Sequence, residues 1–392
     1  MKIIHFTLLT TLASFTFINA QLSLEVGNGI QVETTGGVYI SGASNVIETG
    51  TGYLKGVVES SPLSGSTSFA GLTFTNGFTG TIKRTTGSMY AKGNGEGQNF
   101  KRYYEFNNTS AGVLTADITV STVTAGTNDE TGGNGGPYFA YLYQTGWQGY
   151  GDGSIGSSIT AASVNIPTGA SDLVFSEGTG ITSKIYLEGP YNAANSNMNT
   201  TINANIPLTS PYSEDTRTVS AIPTNAVDWV LVQVRETASG TAIESRSVFI
   251  KSDGNLIADD GTNGVGIKSK PGDYFVVIKH RNHLGVMTSA IQTGLTWAVA
   301  PTNYDFTTGN TQFYGGSAGA LEVTAGVWGM IAGDANSDGV VDAVDKNDFW
   351  RIENGTPYSY SKYSDFNLDA NLDAVDKNDF WRINNGKSSQ LP

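Results

Sequence analysis

The stretch DANSDGVVDAVD, residues 334–345, is answered 31 residues later by DFNLDANLDAVD, residues 365–376. In both, oxygen-bearing side chains stand at positions 1, 3, 5, 9 and 12: Asp334, Asn336, Asp338, Asp342 and Asp345, then Asp365, Asn367, Asp369, Asp373 and Asp376. Each run continues into nearly the same segment, DAVDKNDFWRIENG (342–355) and DAVDKNDFWRINNG (373–386), which differ only at Glu353 against Asn384. Gly355 and Gly386 close these segments as helix-stopping glycines do, so the reading is a loop followed by one short helix, twice.

Calcium takes about six to eight hard oxygen ligands from a loop that curls around it, one of them the main-chain carbonyl at position 7, here Val340 or Asn371. Asp, Asn and Gly also mark ordinary surface turns. Two loops in register, each followed by the same helix, argue against that simpler explanation. Position 6 differs between the copies: Gly339 makes the sharp turn without steric cost, whereas Ala370 does not, so the second of two calcium sites is expected to be the weaker.

The duplicated loop and helix resemble a dockerin module, the calcium-binding half of cohesin–dockerin pairs, over Gly333 to Gly386. The resemblance implies tandem calcium loops and a cohesin-like protein partner. Dockerins choose that partner in part through loop positions 10 and 11, which here are Ala343 and Val344, then Ala374 and Val375, an apolar pair where a hydroxyl pair is common. At α-helical spacing Val344, Phe349 and Ile352 share one side while Lys346 and Trp350 point to another, and Val375, Phe380, Ile383, Lys377 and Trp381 repeat this. Ala343, Val344, Lys346, Trp350, Ala374, Val375, Lys377 and Trp381 are therefore the candidate partner-binding residues; the competing reading is that they rest on the neighbouring domain. A segment this short buries too little apolar surface to fold well alone, so folding and metal binding are expected to be coupled.

Upstream, the chain reads as mostly β. Residues 1–20 pair Lys2 with an apolar run and a small residue at Ala20, the pattern of a signal peptide, which implies a secreted protein in the extracellular space or on a bacterial cell surface. Residues 21–60 are short alternating runs cut by glycines, as in a small β-solenoid or an edge sheet. Residues 61–178 suit a β-sandwich, with a tight hairpin expected at Asn76-Gly77. Its aromatic group, Tyr138, Phe139, Tyr141, Tyr143, Trp147 and Tyr150, either fills the core or stacks on sugars. Residues 179–331 hold the clearest strands, within Asp228–Arg235, Arg246–Ile250 and Tyr274–Ile278. The KPGDY turn at 270–274 resembles transthyretin-like sandwiches, and the run from Ile185 to Gly386 is similar to secreted adhesin or haemagglutinin-like surface proteins of Bacteroidetes-type bacteria. The dockerin-like module then occupies 332–386 and a tail 387–392. Only Ala332 and Gly333 separate the preceding strand from the first aspartate, a join too short for a swinging module, which favours packing against the sandwich.

Thirty-five acidic against 22 basic side chains give a net charge of −13, which opposes nucleic acid and anionic membranes as partners. There is no cysteine for disulfides. His280 and His283 read as a strand-end pair; Gly315 to Gly319 matches a nucleophile-elbow spacing without the strand-to-helix setting it needs; no two carboxylates are matched as in a glycosidase. The expectation is a non-catalytic, calcium-binding structural or adhesion protein. The alternatives are a polysaccharide-binding or polysaccharide-degrading component recruited through its dockerin, and a self-associating filament subunit.

Overall fold

The computed structural model describes residues 2–5, 23–26, 30–33, 37–40, 45–48, 53–88, 90, 100–121, 138–144, 147–154, 158–176, 178–258, 261, 264–296 and 302–392. The chain is mostly β, with two short helices near its C-terminus. It divides into two compact units, 1–179 with 296–300, and 180–295 with 301–392. The join anticipated at residue 60 lies within one sheet, and the one at residue 331 lies inside the second unit. Most of the signal-peptide reading falls outside the described residues; of it, Lys2–His5 forms a strand parallel to Ile30–Glu33.

The first unit is built on one long strand, Leu72–Thr86, in which every second residue faces inward except at Asn76. Its start pairs with Leu63–Phe69 and Leu114–Ser121, and its end with Tyr53–Ser60 and Arg102–Asn108. From there the sheet continues through Gly169–Ser176, Tyr138–Tyr143 and Trp147–Ser154, while Leu114–Ser121 also pairs with Ser158–Ile166. A strand shared in this way turns a corner between layers, and Phe74, Phe78, Phe106, Ile118, Val164 and Phe175 belong to one core.

The hairpin expected at Asn76-Gly77 is not there. The two-residue turn sits at Ala70-Gly71, where both φ angles are positive (47° and 84°) as a type I′ turn requires, and Phe69 pairs with Leu72. Gly77 instead serves close approach, since a Cβ there would lie 2.5 Å from the Gly65 carbonyl oxygen. The glycine-cut N-terminal strands pair in parallel, Ser23–Val26 with Asn45–Glu48 and Ile30–Glu33 with Tyr53–Ser60, as solenoid rungs do. Glu48 bridges the buried guanidiniums of Arg84 (2.8 Å) and Arg102 (3.0 Å). Tyr138, Phe139, Tyr141 and Tyr150 are buried, so these four rings fill core rather than present a sugar platform.

In the second unit a sheet of Leu256–Ile257, Glu244–Lys251, Ala226–Arg235, Gly272–His280 and His283–Met287 shares its core with two three-stranded sheets. One of these is formed by Val265–Ile267, Thr179–Lys184 and Asn303–Asp305, the other by Tyr186–Leu187, Val327–Met330 and Leu321–Thr324. Trp229 and Phe249, with ring centroids 3.8 Å apart, anchor this core. The Gly315–Gly319 segment is a glycine loop around one short 3-10 turn.

The duplicated segment belongs to the same unit. Leu284 of the sheet joins Ile331, Ala332, Ala335, Val341, Phe366 and Trp381 in one apolar cluster, and Leu368 enters the main core. Each helix departs from the α form expected. Asp345–Trp350 and Asp376–Trp381 are π-helical and are followed by single α turns, Arg351–Glu353 and Arg382–Asn384. A wider i→i+5 turn rotates each residue by less than an α-helix does, so the faces shift. Phe349 and Phe380 lie against the apolar cluster, whereas Val344 and Ile352 (66% exposed), with their counterparts Val375 and Ile383 (60%), face outward.

Candidate metal centre

The two loops adopt one hydrogen-bond pattern. In the first, Asp334 accepts the main-chain N–H groups of Asp338 and Gly339 (both 3.1 Å), and Asp338 accepts that of Val340 at 2.9 Å. Asp342 accepts from Val344 at 2.7 Å, while Asp345 reaches back to accept from Ala335 (2.8 Å) and Asp342 (2.7 Å). In the second, Asp365 accepts from Asp369 (3.1 Å) and Ala370 (3.0 Å), and Asp369 from Asn371 (2.8 Å). Asp373 accepts from Val375 (2.7 Å), and Asp376 from Phe366 and Asp373 (both 2.9 Å). Asn336 and Asn367 donate to Asp338 and Asp369 at 2.8 and 2.9 Å. The backbones agree too: positions 4 and 6 are left-handed in both, Ser337 (φ 57°) and Gly339 (88°), then Leu368 (55°) and Ala370 (66°).

The sequence thus folds each loop inward, with the aspartates at positions 1 and 12 of each copy buried: Asp334 and Asp345, Asp365 and Asp376. Burial, with Asp345 and Asp338 adding like charge, pushes the Asp334 carboxyl up to about 7. Burial raises Asp345 and takes Asp376 to about 7 and Asp365 to about 6, the last against the pull of Arg281. Among the described residues, no cationic side chain forms an ion pair with any of the eight loop aspartates. Nor do three His, Cys, Asp or Glu side chains close on a common point; the aspartate oxygens engage main-chain amides instead, so a cation would take over oxygens those amides now hold. Hard oxygens, buried like charge and a loop pinned by its own N–H groups fit calcium, with Asn336, Asn367 and the carbonyls of Val340 and Asn371 completing each set.

The tryptophans expected to seek a partner are used between the copies. The Trp350 indole N–H donates to the Asp373 carbonyl (2.7 Å) and that of Trp381 to the Asp342 carbonyl (2.6 Å), so each copy steadies position 9 of the other. Lys346 lies over Trp381 at 4.9 Å and Lys377 over Trp350 at 4.6 Å. Ala343, Val344, Ala374 and Val375 are the members of the candidate partner face that stay exposed.

The turn between Gly272–His280 and His283–Met287 holds groups that sequence reasoning set aside as a strand end. Asp228 accepts from Arg281 (2.8 Å) and Tyr360 (2.5 Å), with His280 Nε2 3.2 Å away. Burial alone would raise the Asp228 carboxyl, but Arg281 and His280 hold it well below the usual range. His283 Nε2 accepts the Gly189 N–H at 3.3 Å, which leaves its proton on Nδ1, aimed at Asn282 Oδ1 (2.8 Å). Burial keeps both imidazoles below their ordinary pKa. His280 and His283 therefore meet across a turn, their rings serving this network.

No family model matches the chain, and no curated protein matches it. Among solved structures there is a likeness to a chain of a type II cohesin–X–dockerin complex, an N-terminal interface mutant, from Acetivibrio cellulolyticus. It has a TM-score of 0.27 and 18% identity, and covers 54% of this chain and 98% of that one. So slight a likeness carries no argument.

Proposed function

We propose that residues 333–386 form a dockerin-like pair of calcium sites, built onto the sandwich of the second unit, in a secreted, non-catalytic protein of extracellular structure or adhesion. Asp334, Asn336, Asp338, Val340, Asp342 and Asp345 serve the first ion; Asp365, Asn367, Asp369, Asn371, Asp373 and Asp376 serve the second. The observation that carries this reading is the hydrogen-bond pattern the two loops share around buried carboxylates with which, among the described residues, no cationic side chain forms an ion pair. The bound ion supplies that missing positive charge. The exposed Ala343 and Val344, with Ala374 and Val375, offer a protein partner, cohesin-like or on the cell surface, two equivalent apolar patches.

Calorimetric titration of the chelated full chain with calcium, with mass measured before and after, should show two ions bound per chain and a tightened second unit. Uptake of none, with the tail equally ordered throughout, would sink the proposal.

A further inference from the structure

Resting on that calcium reading, we infer that Asn282, on the sandwich, is a positioning residue of the second loop and makes it the tighter of the two sites. The Asn282 side-chain amide donates to the carbonyl of Asp365 (2.7 Å), the first residue of that loop, and to that of Tyr363 (2.9 Å). Its own oxygen is held by His283 Nδ1, so it is locked in this direction. On the other side Gly189 lets the sandwich come so close that a Cβ there would lie 1.7 Å from the Phe366 carbonyl oxygen. Phe366 and Leu368, loop positions 2 and 4, are fully buried.

The second loop is thus shaped by the sandwich. The left-handed strain at Ala370 that made it look the weaker site is met when the unit folds, and drops out of the binding step. Among the described residues, the first loop has no amide donor from the sheets on the carbonyl of its first aspartate. Its support comes from the Asn282 main-chain carbonyl, which accepts the Gly333 N–H (3.1 Å), from Ser337 Oγ donating to the Arg281 carbonyl (2.8 Å), from Ala335 and Val341 packed with Leu284, and from the tail, where Val341 donates to Lys387 (2.9 Å) and Ser389 to Gly339 (2.7 Å); none of these is a side-chain donor that the Asn282 substitutions remove. Residues that orient a metal's ligands without touching the metal typically govern affinity by about 10–100-fold.

The test uses the full chain and calcium alone, by calorimetry in two backgrounds, Asp345→Asn to isolate the second loop and Asp376→Asn to isolate the first. The isolated second loop should bind more tightly. Asn282→Ala should weaken it about tenfold and leave the isolated first loop within about twofold. Asn282→Asp, which keeps the shape and removes the donor, should do the same and stands in if the alanine variant does not fold. Equal weakening of both loops marks Asn282 as a general prop and overturns the inference, as does a first loop that binds more tightly. No uptake by the unsubstituted chain removes the calcium reading itself.

Discussion

The two loops carry the same oxygens at the same positions and the same internal hydrogen bonds, yet live in different neighbourhoods. Both loops pack on the Leu284 cluster, but loop one is strapped as well by the C-terminal tail through Lys387 and Ser389, whereas loop two also sends Leu368 into the main core and has its first carbonyl gripped by the Asn282 side chain. The difference teaches that a ligand pattern defines what a loop can hold, while the surface beneath it sets how much order the ion must impose.

The largest effect should come from the hub under loop two. Asp228→Asn leaves the buried Arg281 without its anion and should cost about 3–5 kcal/mol, read from urea midpoints in calcium; a loss under about 1 kcal/mol would mean the hub does not organise this side of the unit. Next is the ion itself. At calcium about a hundredfold above the dissociation constant, a single site should add about 2.7 kcal/mol. At one fixed, limiting calcium concentration the rise in melting temperature should therefore be greater in Asp345→Asn than in Asp376→Asn, and the reverse order would erase the contrast between the loops.

A smaller effect is expected of Glu188, which accepts from Ala332 N–H (2.8 Å) at the entry to loop one and from Asn384 (2.7 Å) at the end of the second helix. Burial pushes its carboxyl up to about 7, against those two donors and Lys387. A folded pKa above the unfolded one gives stability that is full at acidic pH and is lost as pH rises through about 7. With calcium saturating, Glu188→Gln should match the parent near pH 5 and melt higher at pH 8; parallel profiles would show that Glu188 does not titrate in this window. The smallest is Ala370→Gly, which relieves a positive φ and should stabilise the unit by about 0.5–1 kcal/mol with loop two's affinity almost unchanged. A marked gain in affinity would show that the strain is met at binding after all.

Much of this was legible in the chain itself. Spacing in a twelve-residue run is local, so the repeat of oxygen-bearing side chains in each loop could be written down from residues 334–345 and 365–376, and the strands around Trp229 and Val277 announced themselves by composition. The short join at Ala332-Gly333 likewise pointed to packing on the sandwich. What escaped depends on contacts far apart in sequence or on backbone geometry that residue types do not dictate. Asn76-Gly77 carried the stronger turn signal, yet the chain turned at Ala70-Gly71 because the long strand needed Gly77 for close approach. An α period misplaced Trp350 and Trp381 because both helices are π-wound. Asn282 reaches a carbonyl 83 residues away, and no local pattern marks such a residue.

The reciprocal indoles have a bearing on whether either copy can stand alone. In a lone copy the tryptophan's N–H and the position-9 carbonyl would have only water to pair with, and two such copies could exchange these bonds by meeting face to face about a two-fold axis. The tandem arrangement thus has the form of a two-fold pair within one chain, and paring it back to a single half should yield a fragment that either pairs with itself or fails to hold its shape.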